Sequence, residues 1–144
     1  MPLPPVAGWL IDFRTAHGIF ASQSNVRIAH CTARCADGSL HICHTEAERF
    51  KKEPALAAPF MIDHYRVFEP DEDIFQRCEA IEANGCGKRV LHRSDTGIFL
   101  TAIAVANSFG VISDHRSNRF ATVYDMCALR GVPVLSSDDY FALV

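Results

Sequence analysis

A chain of 144 residues, 49% hydrophobic and 22% charged, can bury a core without disulfides or structural metal and is too short for two ordinary domains. Its formal net charge of −3 speaks against a long basic nucleic-acid surface, though not against a small basic rim around an acidic pocket. The composition also excludes intrinsic disorder.

Taken in order, the chain predicts a strand over 8–13 and a helix over about 15–35, broken near Ser24. A strand over 39–44 and a helix over about 46–53 follow, the helix ended by Pro54. FMIDHYRVF (60–68) is a candidate extra strand. EPDEDIFQRCEAIEAN (69–84) reads as a helix with acidic residues in its first turn and Asn84-Gly85 at its close. Ser94 or Asp95 is expected to cap a helix running to about Asn107, and FGVIS (109–113) to form a buried strand. RSNRFATVYDMCALR (116–130) is read as a helix ended by Gly131, VPVL as a strand and SSDDYFAL as a short last helix. Strands alternating with helices at this spacing imply an α/β fold, with one central parallel sheet flanked by helices on both faces and one domain over 1–144.

The uncharged run from Thr96 to Ser113 approaches membrane-spanning length, but Asn107-Ser108 and Gly110 interrupt it, so no membrane association is expected. The N-terminal MPLPPVAGWLID has no basic residue before Arg14 and no cleavage pattern, which predicts a cytoplasmic protein. Its six cysteines are then expected as reduced thiols, with Cys78, Cys86 and Cys127 acting as small buried hydrophobes.

Three aspartates stand where an α/β sheet builds its sites. Asp12 ends the apolar stretch Gly8-Trp9-Leu10-Ile11, Asp95 opens a helix, and Asp114 ends a strand. Ligands of such sheets bind at the carboxyl ends of the strands. Carboxylates gathered there repel one another unless a cation neutralises them, which points to a hard divalent ion. Each residue also has an ordinary reading, as a helix cap or a strand-end turn residue. The Ser136-Ser137-Asp138-Asp139 segment is fully explained as helix capping. Cys31, Cys35, His41, Cys43 and His44 are the right residue types for zinc but have poor spacing, since His41 and Cys43 share one face of a strand and His44 takes the other. Lys88-Arg89-Val90-Leu91-His92-Arg93 is the densest basic run, readable as phosphate contact or as a solvated loop.

Those residues carry a resemblance. Trp9-Leu10-Ile11-Asp12, then Ser94-Asp95-Thr96-Gly97-Ile98 leading into Ala102-Ile103-Ala104, then Ile112-Ser113-Asp114, and finally Leu129-Arg130-Gly131-Val132-Pro133-Val134-Leu135 together resemble the PIN domains. This is a family of small metal-dependent nucleases that includes the VapC toxins of bacterial toxin–antitoxin pairs. Residues 93–144 carry the specific part of the likeness; over 14–90 only the order of elements matches. The resemblance implies a ribonuclease using Mg²⁺ or Mn²⁺ held by Asp12, Asp95 and Asp114, with a Glu from the helix after the second strand. Glu46 and Glu48 are both candidates there, and the spacing slightly favours Glu48. It further implies metal-activated water attacking an RNA phosphodiester, with Asp12, Glu48, Asp95 and Asp114 catalytic. Ser113 would then either support a metal ligand from behind or offer its hydroxyl to the substrate, Arg14, Arg116 and Arg119 would lie at the rim against the phosphate backbone, and a small antitoxin protein and a homodimer would be the partners. Where many relatives double the acid after the penultimate strand, this chain has Asp114-His115, so Asp114 is the candidate ligand and a shift of register by one residue would put His115 in the metal-facing place. A PIN-like scaffold with a degenerate metal site is therefore the alternative function.

Overall fold

The structure is a computed structural model describing residues 2–59, 67–84, 90–91, 96–115 and 120–144. Its first strand, β1 (Gly8–Ile11), is buried along its whole length. It stops short of the expected residue 13 because the Asp12 side chain accepts the Thr15 amide and starts α1 (Phe13–Ala21). The break expected near Ser24 is real. Ser24 caps α2 (Asn25–Asp37), which ends on Gly38 in the left-handed region (φ 86°), where a side chain would be strained.

After β2 (Leu40–Cys43) the chain tightens into a 3₁₀ turn (His44–Glu46) before α3 (Ala47–Lys51). Pro54 does not merely end that helix. It occupies the first turn of a further one, α4 (Pro54–Ala57), where its missing N–H costs nothing. The candidate strand at 60–68 contributes β3 (Val67–Phe68); residues 60–66 lie outside the described residues.

Next come α5 (Glu72–Asn84), β4 (Val90–Leu91), α6 (Thr96–Asn107) and β5 (Phe109–Ile112), so the uncharged run divides into helix and strand as expected. The helix expected over 116–130 is shorter. Residues 116–119 are outside the described residues, Phe120–Ala121 form β6, and α7 spans Val123–Ala128. The cause is local: Asp125 accepts from the Thr122 amide at 2.8 Å in a capping box that fixes the helix start. The chain closes with β7 (Val134–Leu135) and α8 (Ser137–Leu143), capped by Ser136 as expected.

The main sheet has the order β3-β2-β1-β5-β7 with every pairing parallel, and β4 and β6 form a separate parallel pair. Parallel strands buried on both faces need apolar residues throughout, which is why these segments read as apolar runs rather than alternations. One face packs Trp9, Ile11, Ile42 and Ile112 against residues of α1, α2, α3, α4 and α8. The other packs Leu10, Cys43 and Val111 against α5, α6 and α7. The fold is therefore α/β with helices on both faces of a parallel sheet. Gly110 lets β5 lie against β1, since a Cβ there would stand 2.4 Å from the Trp9 ring. Among the described residues no helix is long and apolar enough to cross a membrane.

The chain leaves β1 towards β2 on one side and reaches β5 on the other. The carboxyl ends of β1 and β5 thus flank the point where the strand order reverses, where an open parallel sheet leaves a crevice.

Candidate active site

A cavity of about 340 Å³ opens at that reversal point. Asp12, Arg14, Glu46, Arg49, Ser113 and His115 line it together with Thr96, Gly97, Ile98, Leu100, Thr122, Val123 and Met126.

Asp12 is 7% exposed. One carboxylate oxygen takes the Thr15 amide at 2.7 Å and the other takes the Ser113 hydroxyl. Its ordinary reading as a helix cap is correct, yet the residue also lines the cavity, because a carboxylate has about four acceptor positions and these two bonds leave others. Ser113, fully buried at the end of β5, donates to Asp12 and accepts from the His115 amide. It thus holds Asp12 while lining the cavity itself.

The glutamate at the site is Glu46, which corrects the preference for Glu48. The 3₁₀ turn after β2 directs Glu46 back under α1, where its Oε1 accepts the Phe13 amide at 3.1 Å. Glu48, two residues on and so rotated about 200° around the helix axis, faces solvent and reaches Lys51 at 3.5 Å. Glu46 is 5% exposed, and its pKa is pushed up to about 7, chiefly by burial and then by the Asp12 carboxylate. The Phe13 N–H and the Arg49 guanidinium, 3.7 Å from Oε2, only partly offset this.

Asp114 is the second correction. Successive residues at a strand end point in opposite directions. With Ser113 turned in to Asp12, Asp114 turns to α8, accepting the Ser137 amide at 2.7 Å and the Ser137 hydroxyl at 2.8 Å. Its carboxylate joins β5 to α8 and does not line the cavity. His115 does line it, and its Nδ1 lies 3.2 Å from a guanidinium nitrogen of Arg14.

Arg14 is therefore at the rim, as expected. Arg116 and Arg119 lie outside the described residues, as does the basic run at 88–93 apart from Val90 and Leu91. Asp95 is outside them too. Its chain neighbour Thr96 lines the cavity and is hydrogen-bonded to Thr45, beside Glu46, through hydroxyls 2.8 Å apart. Arg49 had no signal beyond its position one helical turn after Glu46. Its guanidinium rests over the Phe13 ring at 4.3 Å, which orients a side chain otherwise open to solvent.

Among the described residues no group of three or more His, Cys, Asp or Glu side chains is arranged to hold a metal ion. The Cys31 and Cys35 thiols pack on one face of the sheet and Cys43 on the other, so the candidate zinc set is divided by the sheet itself. His41 stacks on Phe109, and His44 meets Phe99 edge-on. Asp12 and Glu46 fit a different ion. Mg²⁺ is commonly bound through only one or two carboxylates while keeping several waters; burial is the main cause of the raised Glu46 pKa, and the neighbouring Asp12 charge, which a cation would offset, is the lesser one. No protein-family model matches the chain, and no curated protein matches it.

Proposed function

We propose that the protein is a Mg²⁺-dependent ribonuclease of PIN type, the toxin member of a toxin–antitoxin pair. The observation that carries this reading is the buried pair Asp12 and Glu46 at the carboxyl edge of a parallel sheet, in a cavity rimmed by Arg14 and Arg49. When bound, such a cation would polarise a water for attack on phosphorus and offset charge on the phosphate. The chain's residues supply positioning. Thr15 and Ser113 fix both oxygens of Asp12, and the Phe13 amide fixes Glu46. Arg14 and Arg49 stand where they would take the oxygens of a phosphodiester. Asp95 is the expected third carboxylate. No side-chain nucleophile is needed. The antitoxin and a second copy of the chain belong to the same reading as expected partners.

One observation favours a second reading, a PIN-like binding scaffold with an incomplete metal site. The carboxylate of Asp114 is engaged with Ser137, and His115 stands at the cavity in its place. Imidazole is a softer ligand than Mg²⁺ prefers.

Cleavage of a fluorogenic single-stranded RNA separates the two. The nuclease reading expects cleavage that EDTA abolishes, Mn²⁺ restores, and Asp12→Asn removes while the circular dichroism spectrum is kept. Wild-type protein that cleaves no RNA at any Mg²⁺ or Mn²⁺ concentration, and is not rescued by His115→Asp, leaves the scaffold.

A further inference from the structure

Two arginines line the cavity, and their surroundings differ. Arg49 rests over the Phe13 ring and stands 3.7 Å from the Glu46 carboxylate. Arg14 forms no ion pair among the described residues. Its contact is with an imidazole, one guanidinium nitrogen lying 3.2 Å from Nδ1 of His115.

That contact fixes the state of the ring. A guanidinium has N–H donors and no acceptor, so Nδ1 must present its lone pair. The ring is then neutral with its proton on Nε2, because an imidazolium would turn both an N–H and a positive charge towards Arg14. The hydrogen bond leaves the charge of Arg14 whole, where a carboxylate in the same place would cancel it.

The backbone holds both ends of the contact. The Asp12 carboxylate takes the Thr15 amide at 2.7 Å, and the Thr15 hydroxyl takes the Asp114 amide at 2.8 Å. The Ser113 hydroxyl takes the His115 amide at 3.2 Å and donates in turn to Asp12. These bonds tie the start of α1 to the end of β5, with Arg14 on one side of the junction and His115 on the other. The Asp114 carboxylate is engaged with Ser137 and leaves Arg14 to the histidine. An arginine already held in place loses less freedom when it takes a ligand.

From this arrangement we infer that His115 is a positioning residue, whose neutral imidazole holds the Arg14 guanidinium at the cavity, fully charged, for a phosphate of the substrate. The inference rests on the nuclease reading and deepens it by giving a role to the histidine that stands beside Asp114. An aspartate in its place would add an oxygen ligand for a metal and cost Arg14 its charge.

The test reads binding in EDTA at pH 8, with neither metal nor cleavage required. A short fluorescent oligouridylate is titrated into the full chain and its variants and followed by anisotropy. His115→Ala should weaken binding about fivefold. His115→Asn, whose side-chain oxygen can take the place of Nδ1, should restore most of the loss. His115→Asp should bind at least as weakly as His115→Ala. In an Arg14→Gln background His115→Ala should cost nothing further, and Arg14→Gln itself should lower the slope of log affinity against log salt by about 0.7, one phosphate contact on a single strand. Long-range ¹H–¹⁵N NMR of the wild type should show His115 protonated on Nε2. A proton on Nδ1, no oligouridylate binding by wild type, equal losses from His115→Asn and His115→Ala, or an undiminished loss from His115→Ala in the absence of Arg14 would each overturn the inference. The ring tautomer and the His115→Asp comparison decide it if His115→Ala does not fold. The expected binding pattern without metal-dependent cleavage would keep the positioning role and remove the nuclease. Metal-dependent cleavage whose KM is unmoved in His115→Ala would do the reverse.

Discussion

Replacing Glu46 with glutamine tests the electrostatics of the pair without any assumption about activity. Glutamine keeps the shape and the acceptor for the Phe13 amide, and it gives up only a 3.7 Å contact to Arg49, whose side chain is 60% exposed. Such a contact contributes little. The Glu46 pKa is about 7 in the folded chain against an ordinary 4.5. Because the folded value is the higher one, the folded state holds the proton longer than the unfolded state. Stability is therefore lost as pH rises from about 4.5 to 7, and the loss is complete above the folded value. The shift corresponds to roughly 3 kcal/mol at pH 8 and about 1 kcal/mol at pH 5. In EDTA, Glu46→Gln should thus be more stable than wild type by about those amounts at the two pH values, read from urea unfolding followed by circular dichroism. Taking the difference between two proteins at each pH cancels the other titrating groups. A difference that is flat between pH 5 and pH 8, or of opposite sign at pH 8, would refute the argument that burial and Asp12 act on this carboxyl.

Asp114→Ala should cost about 1–2 kcal/mol through its two bonds to Ser137 and leave Mg²⁺ affinity unchanged, measured by urea unfolding and calorimetry; a tenfold loss of affinity would return Asp114 to the metal site. Glu48→Gln should fall within about 0.5 kcal/mol of wild type with cleavage unaltered in the RNA assay. Asp12→Asn should retain the fold, since asparagine caps helices about as well as aspartate, and should bring the Glu46 pKa down from about 7 by removing the neighbouring charge, visible in the ¹³C carboxyl shift of Glu46 against pH. His115→Asp should raise Mg²⁺ affinity by adding an oxygen ligand at the cavity, read by calorimetry.

Much of the architecture was legible in the chain because local signals agreed with global ones. Ser24 and Ser136 are caps in sequence and in structure, and the apolar runs of β1 and β5 mark strands buried on both faces. The placement of Asp12 was legible for the same reason, being fixed by the end of the strand that carries it. What failed was direction around an axis. Glu46 and Glu48 differ by two residues, and only the 3₁₀ turn decides which one points inward. Asp114 and His115 differ by one, and the decision lies with Ser137, 23 residues further on.

The central claim is that Asp12 and Glu46 together hold a hard divalent cation, and the most direct measurement is the proton count that accompanies Mg²⁺ binding. Calorimetric titration in two buffers of different ionisation enthalpy gives that count at each pH. With a Glu46 pKa of about 7, an ion that takes both carboxylates should release about one proton at pH 6 and almost none at pH 8. Binding without proton release at pH 6, or no Mg²⁺ binding at either pH, would contradict it.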